Sequence, residues 1–312
     1  MTAKFLPRSS ACRVLVLMGG PDAEREVSIM SGTEVAKALR SRPEFDVLEV
    51  TVDRPTAIEL AAYDADVIFP VLHGPFGEGG PLQVILESLG VPYVGCEPVA
   101  AALAMDKVAT KARVSAAGVP TPRCREIVRG EPIDLEVPLV IKPAADGSSV
   151  DLRICRTAEE VLQARLELEG KRDRLLAESF IKGREVTVGI VQGKVLPIIE
   201  ILPATAYYDY EAKYMRDDTQ YILNPVFPPG IAEALREYTI LAWEAIGCRD
   251  LARADYIVDE RGAWFLEINT MPGMTTHSLV PKAAREIGVE MPELCAMLLE
   301  RARFNASASI SR

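Results

Sequence analysis

Several residue types that mark common classes of protein are scarce in this chain of 312 residues. It holds two histidines and two tryptophans, and its six cysteines lie far apart without any Cys-x-x-Cys pair. Isolated cysteines without histidines nearby argue against a zinc site or a disulfide framework and favour free thiols in a reducing compartment. No apolar run approaches the roughly 18 residues that a membrane-spanning helix needs, so we expect no transmembrane segment.

The 35 basic residues are outnumbered by 45 acidic ones. The net charge of −10 argues against a nucleic-acid or membrane partner, and any anionic substrate would need a locally basic cleft. The first apolar run, Val14 to Met18, is too short for a signal peptide, so we expect a cytoplasmic protein. A chain that is 49% hydrophobic and 26% charged is an ordinary globular one, and its length predicts two or three domains.

The usual glycine-rich nucleotide motifs are missing too. Gly19-Gly20-Pro21 follows a predicted buried strand, Arg13 to Met18, but it is not a G-x-G-x-x-G fingerprint. A second predicted strand, Val137 to Ile141, runs into Lys142 and a Gly/Ser loop, with the lysine before the loop and not after it as in a Walker motif. Ammonium, amide and hydroxyl donors suit phosphates, although a surface turn with an extended lysine explains this stretch equally well.

Strands alternate with helices in the first part of the chain, which predicts a parallel sheet. Ligands of such sheets bind at the carboxyl ends of the strands, where Glu24 and His73 fall. Taken alone, His73 is better explained as an anchor for its Gly-rich loop. Glu24 is explained equally well as an acid that complements a helix dipole.

Further elements follow from hydrophobic periodicity. Residues 97–117 predict one Ala-rich helix, Leu175 to Phe180 and Val186 to Gln192 predict strands, and Gln192-Gly193 predicts a turn into a third strand, Val195 to Ile201. Helices are expected over 228–247 and 292–304, followed by a disordered tail from Asn305. The irregular stretch 204–221, dense in tyrosine and charge, is typical of an active-site lid.

The most informative stretch runs from Arg253 to Asn269 and predicts a β-hairpin. A three-residue loop, Glu260-Arg261-Gly262, would pair Asp259 with Ala263 and place Asp255 opposite Glu267. Side chains alternate between the two faces of a strand, so the polar face would hold four residues and the apolar face five. The polar four are Arg253, Asp255, Glu267 and Asn269, and the apolar five are Tyr256, Val258, Trp264, Leu266 and Ile268.

Two facing carboxylates at about 5 Å repel by roughly 3 kcal/mol at an effective dielectric of 20. One arginine does not easily bridge both acids, whereas Asp, Glu and an Asn carbonyl are oxygen ligands that Mg²⁺ prefers. A solvated hairpin is the alternative for an arbitrary acidic pair. The polar, turn-prone loop that follows, 269–278, can bring backbone N–H groups to an anion and favours the metal site.

Six further stretches stand in a fixed order along roughly residues 13–304. They are Ala23-Glu24-Arg25-Glu26-Val27-Ser28, Leu72-His73-Gly74, Met105-Asp106-Lys107, Gly147-Ser148-Ser149, Tyr208-Asp209-Tyr210-Glu211-Ala212-Lys213-Tyr214 and Pro272-Gly273-Met274-Thr275-Thr276-His277-Ser278-Leu279-Val280-Pro281. Together they resemble the signatures of the D-alanine–D-alanine ligases, a family of the ATP-grasp superfamily. The resemblance implies an α/β protein (α+β in parts) with three segments: an N-terminal parallel α/β substrate domain (12–97), a central lid domain (98–182) and a C-terminal catalytic domain (183–305).

The resemblance also implies an activity, the ATP-dependent joining of two D-alanine molecules through an acyl phosphate for peptidoglycan precursor synthesis, with one or two Mg²⁺ or Mn²⁺ ions and a homodimeric assembly. It assigns catalytic roles to Glu24, Ser148, Tyr214, Arg253 and Gly273, and ATP binding to Lys107, Lys142, Glu178, Phe180, Ile181, Glu185 and Lys213. Substrate binding falls to Glu24, His73 and Ser278, and metal binding to Asp255, Glu267 and Asn269.

Two positions depart from the family pattern, and two other functions remain open. Gly79 stands where the family carries an acid, and Asp151 stands where it carries glycine, which adds a negative charge near the phosphate loop. The alternatives are an ATP-grasp ligase for a different amino-acid or carboxylate pair, and a nucleotide-binding regulatory homologue without turnover. Arg253, Ser148 and Tyr214 argue against the second, because ATP binding alone needs none of them.

Overall fold

The computed structural model describes residues 11–147, 151–203 and 218–310, with side chains as far as Phe304. Its first sheet has three parallel strands in the order β2-β1-β3: β1 (Cys12–Gly19), β2 (Phe45–Val52) and β3 (Val67–Pro70). Four helices accompany it: α1 (Arg25–Arg40), α2 (Ala57–Ala61), α3 (Gly74–Gly77) and α4 (Pro81–Leu89). The predicted parallel sheet is therefore confirmed.

The single helix predicted over 97–117 is wrong. Two helices occupy this stretch, α5 (Pro98–Met105) and α6 (Lys107–Ala116), and Asp106 separates them with an extended backbone (φ −81°, ψ 98°). The Asp106 carboxylate accepts hydrogen bonds from the N–H groups of Val108 and Ala109, which caps α6. An N-cap thus interrupts an otherwise helical, Ala-rich pattern and places Lys107 in the first turn of the second helix.

A second sheet has four antiparallel strands in the order β4-β7-β5-β6. These are β4 (Cys124–Glu126), β5 (Leu139–Pro143), β6 (Arg153–Cys155) and β7 (Leu175–Ser179). The helix α7 (Ala158–Leu168) packs on it through Ala164 and Leu168, which share a small apolar core with Leu139 and Ile141.

The third sheet has five antiparallel strands in the order β10-β9-β8-β11-β12. They are β8 (Arg184–Val191), β9 (Lys194–Leu202), β10 (Gln220–Leu223), β11 (Leu251–Asp259) and β12 (Gly262–Asn269). The predicted Gln192-Gly193 turn is confirmed, because both residues have the positive φ (51° and 77°) that tight hairpin turns require.

The β11–β12 hairpin pairs Asp255 with Glu267 as predicted, but its loop length and its strand register differ from the prediction. The loop has two residues, so Asp259 pairs with Gly262 and not with Ala263, and an irregularity after Asp255 places Tyr256 opposite Phe265. Leu266 is the extra residue of this β-bulge. The bulge exchanges the inward-facing and outward-facing positions of β12 between Gly262 and Phe265. Phe265 is therefore buried in the core, whereas Trp264 and Leu266 are not on the apolar face where the alternation placed them.

Three helices complete the described structure: α8 (Ile231–Ile246), α9 (Leu279–Glu286) and α10 (Met291–Ile310). One face of the five-stranded sheet packs on α5, α6 and α8, and the other shares a core with α9, α10 and the first sheet. The tail predicted to be disordered from Asn305 is helical through Ile310. Within the described ranges, no helix is both long and apolar enough to cross a bilayer.

Candidate active site

A cleft with about 1110 Å³ of empty volume opens between the four-stranded and five-stranded sheets. Six of the seven residues predicted to bind ATP line it: Lys107, Lys142, Glu178, Phe180, Ile181 and Glu185. Val140, Ile154 and Leu266 add apolar walls. The seventh predicted residue, Lys213, lies outside the described residues. Apolar walls with a few buried charges fit the composition of a nucleotide or cofactor cleft.

Glu178 stands at the centre of a buried charge cluster in this cleft. Its carboxylate accepts a hydrogen bond from Lys142 Nζ at 2.5 Å, and Lys111 Nζ lies 2.9 Å from its other oxygen. Burial disfavours the charged form of Glu178, but the two ammonium groups outweigh this effect and lower its pKa to about 2. Burial also disfavours the charged form of Lys142 and would lower its pKa. The carboxylates of Glu178 and Glu267 outweigh burial and raise the pKa of Lys142. Burial lowers the pKa of the Lys111 ammonium, and the carboxylate of Glu178 acts in the opposite direction.

The facing acids of the hairpin each have a cation of their own. Arg253 donates two hydrogen bonds to Asp255, Nε to Oδ1 at 2.9 Å and Nη2 to Oδ2 at 2.7 Å, while Lys107 Nζ lies 3.2 Å from Glu267 Oε2. Asn269 Nδ2 also donates to Asp255 Oδ2 at 3.2 Å, and the Thr187 hydroxyl donates to Oδ1 at 2.6 Å. The repulsion between the two carboxylates is thus offset by two separate cations, Arg253 and Lys107, and not by the divalent ion that the sequence predicts there.

A second cleft adjoins the first at Arg253 and Glu267, which line both. It brings together the predicted residues Glu24, His73, Asn269, Gly273 and Ser278. Glu24 and His73 come from loops after strands of the first sheet, whereas Asn269 ends β12 and Gly273 and Ser278 follow it, so two parts of the chain build one site. The shared residues mean that a ligand in one cleft reaches the border of the other.

Glu24, at the start of α1, lies beside Gly147 in the Gly/Ser loop that follows Lys142. Gly147 is packed so closely against it that a Cβ on Gly147 would stand 2.5 Å from the Glu24 carboxylate oxygen Oε2, so only glycine fits there. Ser148 and Tyr214, which the family resemblance assigns to catalysis together with Glu24, lie outside the described residues. The approach of Gly147 to Glu24 nevertheless places the beginning of this loop beside the second cleft.

His73 and Glu78 are both buried and both line the second cleft. Glu78 accepts hydrogen bonds from the N–H groups of Gly74 (3.2 Å) and Met271 (3.3 Å), so one carboxyl group joins the two loops. Burial, and then the negative charge of Glu24, raise the pKa of Glu78 to about 8. Burial also lowers the pKa of His73, and its Nε2 has no hydrogen-bond partner among the described residues.

The loop 270–278 forms the remaining wall of the second cleft. The Ser278 hydroxyl accepts the N–H of Thr275 at 2.9 Å, and Met274 N–H donates to Ser31 on α1 at 3.2 Å. A Cβ on Gly273 would stand 3.0 Å from Ser278 Oγ. The loop is therefore tied both to itself and to the first sheet's helix, which holds Gly273 and Ser278 at the edge of the cleft.

Both departures from the family pattern have a local physical explanation. Arg172 pairs with Asp151 at 2.7 Å and with Asp146 at 2.8 Å, so the added negative charge is neutralised. At position 79, a Cβ would stand 2.4 Å from the carbonyl oxygen of Pro75, which leaves no space for an acidic side chain on this backbone.

Sequence reasoning missed three residues of this site: Lys111, Glu78 and Leu266. Glu78 lies in the Gly-rich loop after His73, and an acid among glycines was a usable signal. Lys111 follows Lys107 by one helical turn, which places the two on one face of α6. No sequence signal marks the bulge that turns Leu266 into the nucleotide cleft.

Two antiparallel sheets that hold a charged, nucleotide-sized cleft between them define the ATP-grasp class of ligases. The family model described as "D-ala D-ala ligase C-terminus" matches residues 115–300, and the model described as "D-ala D-ala ligase N-terminus" matches residues 54–96. The chain belongs to the D-alanine–D-alanine ligase family.

Individual relatives match over nearly the whole chain. The D-alanine–D-alanine ligase of Syntrophotalea carbinolica is 40% identical over 290 residues, which cover 92% of this chain and 95% of the relative. D-alanine–D-alanine ligase B of Chromobacterium violaceum is 42% identical over 295 residues, or 92% and 97% of the two chains. The crystal structure of the Bacillus anthracis D-alanine–D-alanine ligase complexed with ATP superposes with a TM-score of 0.83 at 32% identity, covering 96% of this chain and all of that one (100%).

Proposed function

We propose that the protein joins two molecules of D-alanine to D-alanyl-D-alanine, with conversion of ATP to ADP and phosphate, for peptidoglycan precursor synthesis. The observation that carries this proposal is the meeting of the two clefts at Arg253 and Glu267. A phosphoryl donor in the first cleft and a carboxylate in the second would approach each other there. The family membership supports the choice of D-alanine.

The first step activates a carboxylate, because hydroxide is a poor leaving group. Glu24, buried at the second cleft, binds the ammonium of the first D-alanine and leaves its carboxylate facing Arg253. A carboxylate oxygen attacks the γ-phosphorus of ATP, the bond to the β–γ bridging oxygen breaks, and ADP leaves. The product of this step is an acyl phosphate in contact with both clefts.

The second step forms the peptide bond. The amine of the second D-alanine, after loss of a proton, attacks the acyl carbon, and the tetrahedral intermediate then expels phosphate. Arg253 and the Gly273 N–H group stabilise the oxyanion, a contribution often worth about 3 kcal/mol per donor. Ser278 binds the carboxylate of the second D-alanine, His73 lines the substrate pocket, and Tyr214 acts with Ser148 and Glu24 to position the amine.

The remaining assignments concern ATP and metal. Lys107, Lys142 and Lys213 hold the phosphates, and Glu178, Phe180, Ile181 and Glu185 hold adenine and ribose. Within the described ranges no group of three His, Cys, Asp or Glu side chains has an arrangement that could hold a metal ion by itself, but Asp255, Glu267 and the Asn269 amide gather at one place and offer the oxygen donors that Mg²⁺ or Mn²⁺ prefers. One or two such ions, when bound, neutralise the charge that develops on the transferred phosphoryl group.

Assembly, location and domain limits are parts of the same proposal. We place the enzyme in the cytoplasm, where ATP is available, and expect a homodimer, which light scattering on the purified protein would measure. The domain limits proposed are 12–97, 98–182 and 183–305. The third begins directly before β8, the first strand of the five-stranded sheet, which supports that limit.

A product assay tests the function. Purified protein with ATP, Mg²⁺ and D-alanine is expected to release phosphate and to form the dipeptide, identified by mass spectrometry. L-alanine alone is the control and should release none. Mixtures of D-alanine with D-serine or D-lactate measure selectivity, and phosphate release only with such a mixture would assign another member of the ligase class. ATP binding without phosphate release under any of these conditions would reject turnover.

A further inference from the structure

One buried cation of the nucleotide site has no place in the reaction described so far. Lys111 on α6 is 1% exposed, and its ammonium lies 2.9 Å from Glu178 Oε2 while donating a hydrogen bond to the Phe265 carbonyl at 3.2 Å. Unlike Lys107 and Lys142, it is not among the residues that line the cleft. A bound nucleotide therefore would not contact it.

The two ammonium groups beside Glu178 differ in what else they can reach. Lys142 occupies one carboxylate oxygen and lines the cleft, where a phosphate would compete for it. Lys111 occupies the other oxygen from inside the protein, and it is also 3.5 Å from the Thr121 hydroxyl. One cation of the cluster is thus able to turn to a ligand while the other is held by protein groups.

A buried carboxylate with a single cation holds that cation strongly, because separating such a pair leaves an uncompensated charge in a region of low dielectric. If Lys142 were the only cation beside Glu178, its transfer to a phosphate would leave the Glu178 carboxylate as an uncompensated buried charge, which is unfavourable. With Lys111 in place, Glu178 stays neutralised and fixed while Lys142 leaves.

We infer that Lys111 is a positioning residue that holds Glu178 ionised in the adenine end of the site and so releases Lys142 to bind the phosphates of ATP. The inference rests on the proposed function, because it takes Glu178 and Lys142 as ATP-binding residues. It assigns to Lys111 an effect on the affinity for ATP and none on the acyl-transfer step.

The test compares Lys111→Met with Lys111→Arg by steady-state phosphate release at varied ATP. Removal of the charge is expected to raise KM for ATP by about tenfold or more, equivalent to about 1.4 kcal/mol, with kcat and KM for D-alanine within about threefold of wild type. Lys111→Arg keeps the charge and should restore most of the ATP affinity. Equal KM values for both variants, or an unchanged KM in Lys111→Met, would overturn the inference.

A matched control and a double variant separate charge from packing. Thr110→Val removes the hydroxyl of a buried residue of α6, which donates to the Leu103 carbonyl on α5 and has no contact with Glu178, and should leave KM for ATP unchanged. In a Glu178→Gln background the Lys111→Met substitution should have no further effect on KM, since the charge to be neutralised is gone. This comparison applies even if Lys111→Met alone does not fold, and an additional tenfold rise there would contradict the inference.

Failure of the proposed function is recognised independently. Wild-type protein that releases no phosphate with D-alanine rejects the ligase activity, and the comparison of variants then moves to equilibrium binding of ATP, where the same tenfold differences are expected. If the wild-type protein is active and Lys111→Met leaves KM for ATP unchanged, the role proposed for Lys111 is rejected and the ligase activity is not.

Discussion

The nucleotide cleft and the adjoining substrate cleft treat their buried charges differently. In the first, described cations are matched with acids: Lys142 with Glu178, Lys107 with Glu267, and Arg253 with Asp255. In the second, the acids Glu24 and Glu78 lie beside a histidine whose Nε2 has no hydrogen-bond partner among the described residues. The first cleft is lined by three cations, Lys107, Lys142 and Arg253, whereas the second is lined by three acids, Glu24, Glu78 and Glu267, and by one arginine, Arg253.

This difference follows from the charges of the ligands. Both lysines of the nucleotide cleft are already paired with acids without ligand, so a triphosphate with its metal ion would exchange partners with existing ion pairs. An amino acid brings an ammonium group that the acid-rich second cleft lacks. Arg253 is a cation that lines both clefts, so the comparison is tested first at this residue.

The largest effect is expected for Arg253→Ala. Loss of an oxyanion donor should lower kcat by on the order of 10²- to 10³-fold in the phosphate-release assay. Arg261→Ala is a matched control, because Arg261 forms a similar pair with Asp259 (2.7 Å) on the same hairpin but outside both clefts. Unchanged kcat in Arg253→Ala, with the control also unchanged, would show that the shared residue has no part in the reaction.

A smaller effect is expected for Glu267→Gln, which removes one of the two facing carboxylates. The Mg²⁺ concentration for half-maximal activity should rise by roughly 10- to 100-fold, and chelation of the metal should abolish activity in both proteins. The exposed Glu286 lies outside both clefts, so Glu286→Gln is the control. Identical Mg²⁺ titrations for Glu267→Gln and wild type would place the metal elsewhere.

The acid excess of the second cleft predicts a dependence of stability on pH. Glu78 has a pKa raised from 4.5 to about 8, mainly by burial and by Glu24, with Arg253 acting in the opposite direction. Between these values the folded state binds more protons than the unfolded state, so the free energy of unfolding falls as pH rises. Glu78→Gln cannot ionise, and its stability should fall less than that of wild type.

Urea unfolding of both proteins from pH 5 to pH 9 measures this difference. The stability of Glu78→Gln relative to wild type should increase steadily with pH. Parallel curves over the whole range would mean that Glu78 is already ionised in the folded protein, held by the N–H groups of Gly74 and Met271.

The smallest effect is expected for an ion pair outside both clefts. Arg123 and Asp134 approach to 3.1 Å, but their side chains are 71% and 78% exposed. Arg123→Ala should change the free energy of unfolding by less than about 0.5 kcal/mol and leave both KM values unaltered. If Arg123→Ala lowered the free energy of unfolding by as much as breaking a buried ion pair, about 3 kcal/mol or more, ion pairs outside the clefts would matter as much as those inside them.

Much of the fold was predictable because period-two and period-3.6 patterns record which face of an element is buried. The parallel first sheet and the Gln192-Gly193 turn follow from such local signals and are confirmed. The break at Asp106 had a readable signal, since aspartate is a favoured N-cap, but the alanines on both sides concealed it.

The hairpin shows what such patterns cannot reveal. The predicted loop was one residue too long and the bulge at Leu266 was missed, and the two errors compensate at Asp255 and Glu267. A bulge depends on how a strand bends to fit its neighbours, and no periodicity in one strand records this. The pairing of the acids was therefore right, while Trp264 and Leu266 were assigned to the wrong face.

The sequence by itself determined the chemical inventory of this protein: the lysines, the facing acids, the Gly-rich loops and their order, which together identify the family. Only the tertiary structure decided which charge neutralises which, because ion pairs such as Lys107–Glu267 and Lys111–Glu178 join residues 160 and 67 positions apart, respectively. Local patterns carry propensity and burial, but the energy of a buried charge depends on distance and solvent access, and the assembled sheets set both.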